Sequence, residues 1–176
     1  MINYKTFETE RLILKPISTE DADFILELYN TPKWLKYIED RNIRTVEDAR
    51  EYIQNKTLAH LQKPWYSNYT IIIKSDQRKI GTCGLFDRDG FEGIDIGFAL
   101  LPEYEGKGYG FESAKKITYL AFNVFGLKKL SAITVKENMA SQGLLERLGM
   151  EQIGTIKLPG DKEELLLYSI KNNKTD

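Results

Sequence analysis

One cysteine, Cys83, and one histidine, His60, are all that the 176 residues hold of the two types most used for metal and redox chemistry. Neither a disulfide framework nor a Cys/His zinc site can be built from them, and no metal is expected. A Ser–His or Cys–His pair would have to rest on a single imidazole. Cys83 lies among strand formers in KIGTCGLF and is expected in packing; His60, in TLAHLQK, is expected on a partly exposed helix. Nowhere do about 18 apolar residues run together, so no membrane-crossing helix is expected. The opening MINYKTFETE carries acids and no apolar run, and does not read as a signal peptide. A net charge of -1 lacks the basic field that a nucleic-acid partner usually needs. Neither nucleic acid nor membrane is therefore an expected partner, and a reduced, cytoplasmic compartment is the expected location.

Hydrophobic residues make up 41% and charged residues 29%, close to globular averages. One domain over 1–171 is expected, with 172–176 as a disordered tail. RLILKPI (11–17) reads as a first strand. Thr19 is then a candidate N-cap, followed by acids suited to a helix start. Thr45 caps a second helix with a stripe at 46, 49, 53 and 57, apolar but for Thr57, which Pro64 closes. YTIIIKS (69–75), KIGTCGLF (79–86) and IDIGFALL (94–101) are joined by short polar turns, an antiparallel meander. The period then changes: GYGFESAKKITYLAFNVF has apolar residues at 114, 117, 121 and 124, ending at Gly126. KLSAITV (129–135) returns as a strand, so 94–135 is a βαβ crossover that needs two parallel strands. A short helix between Asn138 as N-cap and Gly149 as C-cap precedes a final hairpin. The fold class is mixed α/β (α+β), a mostly antiparallel sheet with one parallel pair.

The joint of that crossover, EYEGKGYG (103–110), has glycines at 106, 108 and 110. A P-loop would need Ser or Thr after Gly106-Lys107, where Gly108 stands. A dinucleotide fingerprint would need glycine at 111 or 113, which are Phe and Ser. What remains is a strand, a tight turn and a helix start whose free N–H groups and dipole suit an anion such as a pyrophosphate. A ligand-free turn is the competing reading.

GFALLPEYEGKGYGFESAKK resembles the acetyl-CoA motif of the GNAT superfamily of N-acetyltransferases, [Q/R]-x-x-G-x-[G/A], with Gly108 and Gly110 in its small positions and Glu105 where the family has Gln or Arg. TERLILKPISTEDADFI, VKENMASQGLLERLGM and PGDKEELLLYSI resemble successive segments of its RimJ/RimL-like branch, in order along almost the whole chain. The resemblance implies a GNAT fold, with the parallel pair splayed at the acetyl-CoA site. It also implies transfer of acetyl from acetyl-CoA to a primary amine, either a protein N-terminus or a small molecule. The backbone of Gly106, Lys107, Gly108, Tyr109, Gly110 and Phe111 would hold the pyrophosphate. Phe98, Ala99 and Leu100 would pair with the pantetheine arm, and Asn138 would add a contact beside its capping role. The family's frequent acid, a Tyr seven residues after that Asn, is Leu145 here. Ser141 is then the candidate acid, directly or through a water. Asp95 matches an acid near the acceptor and is the candidate base; an outward-facing strand residue is the competing reading. Trp34 and Tyr37, in PKWLKYI, are candidates to line the acceptor pocket, against ordinary loop packing. An acyl-CoA-binding module without turnover is the alternative function, and an NTP-binding protein a third. Monomer and homodimer both occur in the family.

Overall fold

The structure, a computed structural model, describes residues 5–62 and 67–173. Among the described residues, eight strands form one sheet in the order β1-β2-β3-β4-β5-β6-β8-β7. They are β1 (Phe7–Glu8), β2 (Leu12–Pro16), β3 (Ser67–Ile73), β4 (Lys79–Asp87), β5 (Ile94–Leu100), β6 (Lys129–Thr134), β7 (Glu151–Ile156) and β8 (Leu165–Lys171). Every neighbouring pair is antiparallel except β5 and β6, which run parallel and are in register at only one place, Asp95 opposite Ser131. The sheet therefore opens along β5 past Asp95.

Alternation along β5 sends Ile94, Ile96 and Phe98 to one face of the sheet and Asp95, Gly97 and Ala99 to the other. On the first face lies α4 (Tyr109–Asn123), which buries Ala114, Ile117, Leu120 and Ala121 against Leu14, Ile71, Leu85 and Ile96. Val124, expected on that apolar stripe, caps the helix and is exposed, because Leu120 takes the inward position one turn earlier. Gly126, with φ +70°, turns the chain towards β6. On the second face pack α1 (Ala22–Tyr29), α2 (Pro32–Tyr37) and α3 (Val46–Tyr52), around Phe24, Ile25, Leu28, Ile43 and Ile53.

Two boundaries differ from the sequence reading. The chain enters α1 through a 3-10 turn, Thr19–Asp21, so the capping residue is Ser18 rather than Thr19. Its N–H donates to Asp21 Oδ2 (3.0 Å), a carboxylate that also accepts from Thr70 Oγ1 and pairs with Lys79. Thr45 does cap α3, its hydroxyl accepting from Asp48 N at 3.1 Å. The helix then widens into a π-turn (Ile53–Thr57) and ends as a 3-10 turn (Leu58–Gln62) instead of running on as one helix. Ile53 and Thr57 are both buried. Pro64, expected to close this segment, lies outside the described residues, as does 174–176 of the expected tail. In the rest of that tail, Asn172 N–H donates to the Lys128 carbonyl (2.9 Å). Last in the chain, α5 (Met139–Arg147) precedes the β7–β8 hairpin.

Candidate active site

Where β5 leaves β6, a cavity of about 710 Å³ opens between the sheet, the helix layer of the second face, and the N-terminal turns of α4 and α5. Its edge is backbone. Leu101 N–H donates to the Ile80 carbonyl of the β4 side (2.8 Å). Successive amides of a strand point to opposite edges. Phe98 and Leu100 therefore turn their N–H groups to the open edge, while that of Ala99 faces β4.

The start of α4 closes one end of the cavity. Gly106 and Gly108 have φ of +70° and +84°, which side chains rarely adopt. Gly108 is the N-cap, and a Cβ there would stand 3.2 Å from Arg11 Nη2. Gly110 is buried, and a Cβ on it would meet Leu144 Cδ1 at 3.1 Å. The turn thus presents unbonded amides at the positive end of a fifteen-residue helix. It is anchored from β2's side. Glu112 accepts from Thr9 Oγ1 (2.5 Å), Arg11 N (2.9 Å) and Arg11 Nε (2.7 Å), and Arg11 Nη1 donates to the Lys107 carbonyl (3.1 Å). Burial pushes the Glu112 carboxyl up, but these hydrogen bonds together outweigh it and hold its pKa below the ordinary carboxylate value. Of the turn's side chains, Lys107 lies over the Tyr104 ring and Tyr109 under the Arg11 guanidinium. Neither lines the cavity, so these two candidates can offer it only backbone.

Asn138 and Ser141 border the same cavity at the start of α5. Asn138 Oδ1 accepts from Ser141 N (3.2 Å), the cap expected from sequence. Leu145 is 1% exposed and belongs to the core, so α5 offers no acid there.

Asp95 is 1% exposed, which rules out the outward-facing reading. One oxygen, Oδ1, accepts from Arg88 Nε at 2.8 Å; the other, Oδ2, is buried with no partner among the described residues. Burial raises its pKa, and Arg88 opposes the rise. Arg88 follows from the β4–β5 hairpin: Phe86 faces Asp95 across the ladder, so the residue two beyond Phe86 falls on the same side of the sheet. That register was a signal available in the sequence, through the DRDGFEG turn. Glycine at 97 makes room, since a Cβ there would meet the Phe86 ring at 2.9 Å and Arg88 Nη2 at 3.7 Å.

Trp34 and Tyr37 both line the cavity, on α2. Trp34 stacks on Tyr29 with centroids 3.8 Å apart, and Tyr29 meets Tyr52 edge-on at 5.6 Å. Arg41 lies 5.3 Å over Tyr52. Sequence reasoning missed Tyr29, Tyr52, Arg41 and Asn68, which come from four separate segments and share no motif. Among the described residues no cluster of three or more His, Cys, Asp or Glu could hold a metal ion.

A sequence profile of the acetyltransferase (GNAT) domain matches residues 11–151, and the chain belongs to that family. The Uncharacterized N-acetyltransferase p20 of Bacillus licheniformis is 30% identical over 154 residues, 87% of this chain and 86% of that protein. Among solved structures, the ribosomal-protein-S5-alanine acetyltransferase of Vibrio fischeri superposes with a TM-score of 0.79 at 21% identity, covering 96% of this chain and 97% of that one. RimL, a ribosomal L7/L12 α-N-protein acetyltransferase solved with coenzyme A, gives 0.78 at 18% identity, covering 95% and 98%. These two likenesses are of fold: the mixed sheet with its splayed parallel pair is the GNAT fold. Acetyl-CoA, the family's acetyl donor, fits the residues present. The side-chain-free turn at 106–110 suits a pyrophosphate, and the free edge of β5 suits an amide-bearing arm.

Proposed function

We propose that this protein transfers acetyl from acetyl-CoA to a primary amine by direct attack, in the manner of the RimJ/RimL-like branch. The observation that carries the reading is a buried carboxylate with one unpartnered oxygen, Asp95 Oδ2, in the cavity that also holds the open β5 edge and the glycine turn. Bound acetyl-CoA supplies an acetyl thioester. The amides of residues 106–111 hold its pyrophosphate, and the Phe98 and Leu100 N–H groups bind its amide arm and carbonyl oxygen, a donor role that counts most as that oxygen gains charge.

Asp95 Oδ2 takes the proton that the acceptor ammonium must lose. An α-amine with a pKa near 8 costs about 1 kcal/mol to deprotonate at pH 7, a lysine about 3–5 kcal/mol. A carboxylate of raised pKa is better matched to either task than an ordinary one. As the C–N bond forms and the C–S bond breaks, Ser141 gives the leaving sulfur a proton, directly or through a water, and recovers one from the nitrogen, which sheds its second proton as it becomes the amide. Asn138 fixes the α5 turn that carries Ser141. Trp34 and Tyr37 line the acceptor side. Likeness in fold to two enzymes named for ribosomal proteins supports a protein N-terminus as one acceptor.

Leu145 in the place of the frequent acid favours a second reading, binding of acyl-CoA without turnover. Thiol release from acetyl-CoA, measured across small amines and N-terminal peptides, separates the two. Transfer to at least one amine is expected. Binding of CoA with no release above background for any amine would leave only the binding module.

A further inference from the structure

Asp95 has one ion-pair partner among the described residues, Arg88, and the pair rests on a single hydrogen bond, Nε to Oδ1 at 2.8 Å. A guanidinium and a carboxylate can make two parallel hydrogen bonds, and a pair that served stability alone would gain from both. Here neither Nη nitrogen bonds the carboxylate, and Oδ2 is left without a partner among the described residues.

The guanidinium is held where that one bond forms. Arg88 opens the turn after β4, whose ladder sets Phe86 opposite Asp95. Phe91 N–H donates to the Arg88 carbonyl (3.2 Å), and Gly90 turns the chain at φ +75°. The β7–β8 loop buttresses this turn: a Cβ on Gly90 would stand 2.5 Å from Pro159 Cδ. The guanidinium carbon lies 5.3 Å from the centre of the Phe86 ring, and Nη2 lies over Gly97, 3.7 Å from where a Cβ would be. Turn, ring and glycine thus fix the cation, and the cation fixes Oδ1. With Cβ held by the strand and Oδ1 by Arg88, the place of Oδ2 follows.

We infer that Arg88 is a positioning residue for the transfer: it turns Oδ2 of Asp95 to the acceptor amine and keeps the carboxylate charged to receive the proton. It moves no proton itself, because a guanidinium stays charged. Its part in turnover rests on the reading of Asp95 as base, but its hold on Asp95 is testable without turnover. Other titratable groups stand near it. On the sheet side they are Asp87, Asp89 and Glu92, with Asp161 in the facing loop. On the helical wall of the cavity they are Arg41, Tyr52, Lys56 and His60. Among the described residues Arg88 forms an ion pair with none of these acids. All of them are common to wild type and to an Arg88 variant, so a difference between the two profiles reports Arg88.

The test follows the Asp95 carboxyl carbon by NMR in cofactor-free protein labelled at aspartate, from acid to alkaline pH, with Asp95→Asn identifying the signal. In Arg88→Gln the amide nitrogen falls where Arg Nε lies, so the hydrogen bond is kept and the charge removed. Its midpoint should move up by about 1–3 pH units, the direction expected when a cation leaves a carboxylate. The acid limb of kcat/KM should move up with it, so that activity lost near neutral pH returns at alkaline pH, which a misfolded variant would not show. Arg88→Lys keeps a charge without the planar fork. Its midpoint should stay with the wild type while kcat on the plateau falls about 10- to 100-fold. In the Asp95→Asn background, Arg88→Gln should change kcat/KM by less than about 2-fold. An unmoved midpoint in Arg88→Gln, a full kcat in Arg88→Lys, or an equal loss of kcat/KM in the Asp95→Asn background would overturn the inference. A midpoint that moves while the acid limb does not would instead overturn Asp95 as the base and leave the hold of Arg88 on it standing.

Discussion

Replacing Asp95 by asparagine separates a functional carboxylate from a structural one. Removing one partner of a buried ion pair usually costs about 3–5 kcal/mol, because the other charge is stranded. Here the stranded charge would be Arg88, whose side chain is 34% exposed and can turn to water. The amide oxygen of asparagine can still accept from Arg88 Nε. Against this small loss, the substitution removes a desolvated charge with one unpaired oxygen, a relief of about 1–3 kcal/mol. The net change should lie between zero and a gain of about 2 kcal/mol, which in a domain of this size raises Tm by up to about 8 °C. Loss of a general base should lower kcat/KM by about 10²- to 10⁴-fold. The pH dependence follows from the raised pKa. Between the ordinary aspartate value, about 3.9, and the native one, the folded protein binds more protons than the unfolded chain. Stability of the wild type therefore falls as pH rises through that window and stays reduced above it. Asp95→Asn should lose this slope, so its advantage in Tm should grow with pH across the window. The acid limb of kcat/KM that belongs to Asp95 should vanish, while the limb set by the amine's own ionisation persists in both proteins. Thermal melts and thiol-release kinetics from acid to neutral pH make the comparison. A fall in Tm of more than about 5 °C, or an acid limb identical in the two proteins, would refute the argument.

Gly108→Val places a β-branched residue at φ +84° with its Cβ against the Arg11 guanidinium; the left-handed backbone alone costs about 1–2 kcal/mol. Calorimetric titration should show CoA binding lost, and an unchanged Kd would mean that the turn is not the anion site. Ser141→Ala should lower kcat about 10²-fold with the Kd for CoA unchanged; an unchanged kcat removes Ser141 as the acid. Asn138→Ala loses the hydrogen bond to Ser141 N and should cost about 0.5–2 kcal/mol in chemical denaturation. Burial pushes the Cys83 thiol up to about 12, so an aromatic disulfide reagent should find no protein thiol in the native state and one in denaturant. Rapid labelling of native protein would contradict the burial.

Much of this architecture was legible because it rests on local rules. The alternation of IDIGFAL, the glycines at 106 and 108, and the Asn138 cap each depend on a few adjacent residues, and the structure has all three as read. Two errors arose at helix boundaries. Asp21 is drawn into a buried network with Thr70 and Lys79, which moves the helix cap back to Ser18. The periodicity after Thr45 runs on as though one helix continued, and it does not show the π-turn over Ile53–Thr57, because residues four apart share a face in an α-helix as well. The acceptor side of the cavity was the least legible. Trp34 and Tyr37 were visible as aromatics, yet what makes the wall chemical is a row that joins α1, α2 and α3 through ring contacts.

Glu105 is the clearest case of a residue whose sense lies outside its own motif. Within EYEGKGYG it sets a negative charge beside an anion site, against the helix dipole that makes the site work. In the fold its carboxylate is paired with Lys33 of α2. Both side chains are partly exposed, so the pair contributes about 0–1 kcal/mol and is no device for stability. Its effect is on the field: the acid is neutralised from a neighbouring helix, and the amides after Gly106 keep their positive end. Lys33 also adjoins Trp34 in sequence. One ion pair therefore ties the turn that faces the pyrophosphate site to the helix that carries the acceptor wall. A Gln or Arg at 105 would need no such partner, and α2 would lose that tie to the turn.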